Sequence, residues 1–85
     1  MNIIDWKPKA TKQLLKLQAS TRTAILSAVD SELVDLSRAR NVKKLVNHDY
    51  GFRLRVGDYR VMFDYDGYVR IVSIEEVRKR DEQTY

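Results

Sequence analysis

Along the 85-residue chain the spacing of hydrophobic positions changes near the middle, dividing a helical part from a stranded part. Ile3 and Ile4 beside Trp6 predict a short first strand. Pro8 suits the first turn of a helix, where its missing N–H has no intrahelical partner to lose. Ala10, Leu14 and Leu17 follow at helical spacing, with Lys9, Lys12 and Lys16 on other faces. Ser20 or Thr21 can cap a second helix, whose stripe is Ile25, Val29, Leu33 and Leu36, with Asp30, Glu32 and Asp35 turned away. From Gly51 the period is two. Phe52, Leu54 and Val56 alternate with Arg53 and Arg55; Tyr59, Val61, Phe63 and Tyr65 alternate with Arg60, Met62 and Asp64. Gly57-Asp58 marks a tight turn and Asp66-Gly67 a type I′ hairpin. Tyr68 to Ile74 then reads as a strand, and Glu75 to Tyr85 as a charged tail. The order β-α-α-β-β-β predicts an α+β fold in one domain, 1–85, with an antiparallel sheet packed on an αα-hairpin.

The two turns predict a register. A Gly57-Asp58 loop pairs Val56 with Tyr59, Arg55 with Arg60 and Arg53 with Met62. An Asp66-Gly67 loop pairs Tyr65 with Tyr68, Met62 with Ile71 and Arg60 with Ser73. Phe52, Leu54, Val56, Tyr59, Val61, Phe63, Val72 and Ile74 then share a core face. Arg53, Arg55, Arg60, Met62, Asp64, Val69, Ile71 and Ser73 share the other. Like charges facing one another across strands destabilise a sheet by roughly 0.2–1 kcal/mol per pair. Arg55 opposite Arg60 therefore points to a bound polyanion, unless acids of the tail such as Glu75 or Glu82 neutralise the cluster. Guanidinium forks match phosphate oxygens, and Met62, Val69 and Ile71 would offer a base an apolar rest.

Charge sharpens this picture. The chain has 16 Lys+Arg and 12 Asp+Glu, net +4. Residues 38–60 alone hold seven basic groups and two acidic ones, so the excess is concentrated in one segment. A local basic block fits a nucleic acid or an acidic protein segment. There is no cysteine and one histidine, so neither a disulfide framework nor a metal site is expected. The longest apolar runs fall far short of a membrane span, and the first residues lack the pattern of a signal peptide. A soluble, cytoplasmic protein without cofactor is the expectation.

The run Lys43-Lys44-Leu45, followed by Tyr50-Gly51-Phe52-Arg53-Leu54-Arg55-Val56-Gly57-Asp58-Tyr59-Arg60-Val61, resembles the RelE/ParE toxin superfamily. Ile71 to Arg80 is similar to that family's last strand and basic tail, so the resemblance covers nearly the whole chain. It implies a RelE-like fold, a toxin of a type II toxin–antitoxin system, and a cognate antitoxin as partner. The RelE branch further implies ribosome-dependent endonucleolytic cleavage of mRNA in the ribosomal A site. In that metal-independent transesterification the 2′-OH attacks the adjacent phosphate. The ParE branch implies inhibition of DNA gyrase without nuclease chemistry. A bare RNA-binding or antitoxin-binding domain without catalysis is a third reading.

Carried over residue by residue, Arg53 and Arg55 stand where RelE has two strand lysines. Arg60 matches the arginine of the next strand, Arg80 a tail arginine and Tyr85 a tail tyrosine. These five are the expected catalytic set; Lys43, Lys44, His48, Arg78 and Lys79 are the expected RNA contacts. Arginine for lysine is a departure with a chemical consequence. Arginine stays charged at any working pH, so Arg53 and Arg55 can stabilise a phosphorane but not move protons. Proton transfer then falls to His48, Glu75, Glu76, Asp81, Glu82, Tyr85 or the ribosome. His48 is the most suitable on its ordinary pKa of about 6.5.

Overall fold

The structure, a computed structural model, describes residues 1–79. Strand β1 (Ile3–Trp6) leads into helix α1 (Pro8–Leu15), and helix α2 (Ala19–Glu32) into a short 3-10 turn, Leu36–Arg38. Strands β2 (Val42–Lys44), β3 (Phe52–Val56), β4 (Tyr59–Asp66) and β5 (Ile71–Lys79) follow. The five strands form one mixed sheet in the order β1-β5-β4-β3-β2. The predicted meander β3-β4-β5 is its centre. β1 adds to β5 in parallel, and β2, which has too few apolar residues to announce itself, adds antiparallel to β3. The helices cover one face: Ala10, Leu14, Ile25, Val29 and Leu33 pack on Leu54, Val61, Phe63, Val72, Ile74 and Val77.

Pro8 opens α1 as expected. α2 starts earlier than predicted: its N-cap is Gln18, without a side-chain cap, and neither Ser20 nor Thr21 takes that role. Glu32 closes the helical part by accepting the backbone N–H groups of Arg40 and Asn41, each at 2.9 Å, and the Asn41 side chain at 3.1 Å. It thereby fixes the entry to β2.

The first hairpin keeps the predicted register, with Arg55 opposite Arg60 and Arg53 opposite Met62. Gly57 alone has a positive φ in that turn, 57°, the requirement for the first position of a II′ turn. The second hairpin differs. Asp66 pairs with Ile71, so Gly67 to Arg70 form a four-residue loop rather than Asp66-Gly67 a two-residue one. The Asp66 carboxylate accepts the N–H groups of Tyr68 and Val69, and Arg70 turns the chain with φ of 60°. Tyr65 consequently faces Val72 instead of Tyr68, a shift of four residues that preserves which face each side chain takes.

The supposed tail is strand as far as Lys79. The register shifts between Met62 and Phe63: Phe63 faces Ile74, but Met62 faces Glu76. The extra residue, Glu75, reverses the alternation. Val77 turns into the core, while Glu76 and Arg78 turn to the opposite face. Arg60 therefore faces Arg78, not Ser73. Beyond the end of β1 the edge of β5 is covered by α1, whose Gln13 side chain accepts the Val77 N–H at 2.7 Å. Among the described residues no helix is long and apolar enough to cross a membrane.

Candidate phosphate-binding face

Two cross-strand rows build the face away from the helices. One runs Lys43, Arg53, Met62, Glu76; the other runs Arg55, Arg60, Arg78. Residues alternate between faces along each strand, so the first hairpin and the bulge decide these rows. The expected Arg53, Arg55 and Arg60 come together, and β5 adds Arg78 and β2 adds Lys43. Lys44 lies opposite Phe52 and Lys79 opposite Tyr59, which puts both on the other face of the sheet. Arg80 and Tyr85, with Asp81 and Glu82, lie outside the described residues.

The face is more closed than its alternation implies. Arg60 is 9% exposed and Met62 2%, so Met62 offers no open platform to a base. Val69 lies in the turn and Ile71 at the far end of the hairpin, so neither flanks the arginines. The Nε of Arg53 is buried and has no hydrogen-bond partner among the described residues. A buried donor of this kind costs about 1–3 kcal/mol until an acceptor meets it.

Glu76 is the one acid in the rows and is 5% exposed. Arg78 grips it side-on, Nε to Oε1 at 2.8 Å and Nη2 to Oε2 at 2.9 Å. Lys9 reaches it from α1 at 3.5 Å. The Tyr50 hydroxyl also bonds to it. The Arg78 bonds, helped by Tyr50 and Lys9 against the cost of burial, hold its carboxyl down at about 2. Glu76, next to the expected Glu75, is thus an acid that offsets part of the cluster, and it is a poor proton acceptor near neutral pH; Glu82 lies outside the described residues. The Glu76 carboxylate raises the Tyr50 phenol in turn.

The β2–β3 loop delivers Tyr50. Its ends are tied by Leu45 N–H to Gly51 O at 2.8 Å, and by Gly51 N–H to the Asp64 carboxylate at 2.7 Å. A Cβ on Gly51 would stand 3.2 Å from that carboxylate oxygen, a tight contact that the Asp64 side chain would have to yield to by a few tenths of an ångström. His48 Nδ1 accepts the Tyr50 N–H at 3.3 Å, and the two rings lie 6.0 Å apart. Nδ1 is thereby an acceptor, leaving Nε2 to carry the proton of the neutral ring. Tyr50 and Lys9 were not expected at this face; Glu76 was, but as a group that moves protons rather than as the ion-pair partner of Arg78. The signal for Glu76 was present as the spacing Val72, Ile74, Val77, whose three-residue step marks the bulge. Lys9 carried no signal, because it arrives from another element.

A family model described as the ParE toxin of the type II toxin-antitoxin system, parDE, matches residues 4–84. No curated protein matches the chain by sequence. Among solved structures it is similar to the RelBE2 toxin–antitoxin complex from Mycobacterium tuberculosis, at 22% identity and a TM-score of 0.75, over 93% of this chain and 98% of that one. It is similar to the RelE–RelB complex from Pyrococcus horikoshii, at 21% identity and 0.73, over 95% and 97%. The isolated E. coli RelE toxin matches at 19% identity and 0.76, over 96% and 87%. The fold is the RelE-like α+β fold that the sequence motifs imply.

Proposed function

The chain belongs to the ParE toxin family of type II toxin–antitoxin systems, and from its RelE-like fold and its arginine face we propose that this toxin is a metal-independent, ribosome-dependent endoribonuclease cutting mRNA in the ribosomal A site. The observation that carries the reading is the row Arg55, Arg60, Arg78 beside Arg53. Three neighbouring guanidiniums concentrate positive charge on one face, and RNA phosphates have the matching charge and geometry.

In the proposed reaction the 2′ oxygen attacks the adjacent phosphorus and the bond from phosphorus to the 5′ oxygen breaks. The products are a 2′,3′-cyclic phosphate and a 5′-OH. One proton leaves the 2′-OH and one reaches the departing 5′ oxygen. The arginines offset the negative charge that builds on the phosphorane oxygens. They do not carry either proton, and Glu76 is too acidic to accept one near pH 7. The ribosome then supplies substrate alignment and the proton path, so free RNA is cut poorly. The partner that silences the toxin is a cognate antitoxin, whose acidic or amphipathic segment covers this face; the fold's likeness to toxins solved with RelB supports it.

A second reading, gyrase inhibition without chemistry, is favoured by two observations: the family model that matches is that of the ParE toxin, and β3 presents arginine rather than lysine at both outward positions. Induction in cells followed by mapping of mRNA 5′ ends separates the two. Breaks at codons within translated frames are expected. Intact mRNA together with inhibited supercoiling by purified gyrase would overturn the nuclease reading.

A further inference from the structure

We infer that Glu76 is a positioning residue for RNA: it holds the Arg78 guanidinium so that the rest of that group's donors face the RNA backbone. The inference rests on the reading of this face as the RNA site. An acid in the middle of a cationic surface subtracts from its attraction for phosphate, so its presence requires another reason. Its geometry supplies one. Arg78 has five N–H donors, and its side-on contact uses one on Nε and one on Nη2. Both Nη1 donors and the second on Nη2 are left in a fixed plane, forming an end-on fork for a phosphate. Arg78 remains half-exposed, with 48% of its side chain accessible, while Glu76 beneath it has 7%.

The support below the carboxylate is rigid. Glu76 faces buried Met62 across the strands, next to the bulge that turns it to this side. Lys9 approaches the same carboxylate at 3.5 Å, and Tyr50, on the pinned β2–β3 loop, interacts with it too. One carboxylate thus orders groups from α1, the β2–β3 loop and β5 around the end of the arginine row. Freed from it, Arg78 would sample many rotamers next to Arg60, and repulsion would drive it away from the row.

The signs of two effects are opposed, which makes the inference testable. Glu76→Gln raises the net charge by one. If charge alone governs RNA binding, the variant binds tighter and the slope of affinity against salt steepens. If Glu76 positions Arg78, it binds less tightly and cleaves more slowly. The experiment measures binding of a single-stranded RNA oligonucleotide across salt concentrations, together with single-turnover cleavage of ribosome-bound mRNA. The variants are Glu76→Gln, Arg78→Lys, Arg78→Ala and the Glu76→Gln/Arg78→Ala double variant, each with its melting curve. Glu76→Gln is expected to weaken binding severalfold and slow cleavage at least tenfold. Arg78→Lys, which keeps the charge and loses the fork, should match it. Glu76→Gln should add nothing on the Arg78→Ala background. Tighter binding by Glu76→Gln, full activity of Arg78→Lys, or an undiminished Glu76 effect without Arg78 would overturn the inference. If the wild type cleaves nothing, the nuclease reading fails, and the binding series alone decides the role of Glu76.

Discussion

Arg53 keeps a guanidinium donor dehydrated with no partner among the described residues, opposite Lys43 and next to the other arginines. Such a residue favours function over stability. Arg53→Met keeps an apolar stem of similar reach and removes both the orphaned donor and the repulsion. It should gain about 1 kcal/mol of stability and lose most of the toxicity, which chemical denaturation and a growth assay would read side by side. Glu76 behaves oppositely. Its carboxyl is held at about 2 against an ordinary 4.5, so the stability it contributes is complete above pH 4.5 and is lost as pH falls toward 2. Discounted for the half-exposed Arg78, that contribution is about 2–3 kcal/mol. The stability gap between wild type and Glu76→Gln, measured by denaturation, should be full at pH 6 and should shrink steeply below pH 4. At this scale the sequence disclosed the arginines, because alternation and one turn were enough to place them. It hid the contacts of Tyr50 and Lys9, because those depend on a loop and a helix edge whose positions no local spacing encodes.

Among the elements, the β4–β5 hairpin shows most clearly where local signals compete. Asp66-Gly67 has the composition of a two-residue turn, yet Asp66 spends its carboxylate on the N–H groups of Tyr68 and Val69, which favours a longer loop. That loop leaves Tyr68 97% exposed and forces Arg70 to a φ of 60°. A side chain with a Cβ is strained there by about 1–2 kcal/mol. Arg70→Gly should therefore raise stability by about 0.5–1 kcal/mol without altering RNA binding, since Arg70 lies beyond the arginine rows; a fall in melting temperature would contradict the strain. The predicted core survived the wrong loop because a four-residue slip is even. The bulge, one residue long, is odd, and it alone determines that Glu76 and Arg78 stand on the arginine face. Reading Glu75 onward as tail concealed it.

For the whole molecule, four of the seven basic residues of segment 38–60, Lys43, Arg53, Arg55 and Arg60, gather on one side of the sheet, and β5 adds Arg78 to them. Binding of single-stranded RNA should weaken linearly on a logarithmic salt scale. Removing any one phosphate-contacting arginine should lower the magnitude of the slope by about 0.7. An unchanged slope in Arg55→Ala would show that this row does not meet phosphate. Fold class and the central hairpin were legible because they rest on periodicity. The mixed character of the sheet was not, because the pairing of β1 with β5 joins Ile3 to Ile71 and leaves no mark in either strand.

That pairing governs when the protein comes into being. β5 lies between β1 and β4, yet a ribosome makes it after every other strand. Until it emerges, β1 has no neighbour, α1 has no edge to cover and the arginine row lacks its third member. Contacts between residues so distant along the chain close late in folding. A chain whose β5 has not yet emerged should therefore lack the assembled arginine row. On the proposed function, synthesis and activity would then be separated by an interval in which an antitoxin already present could bind first.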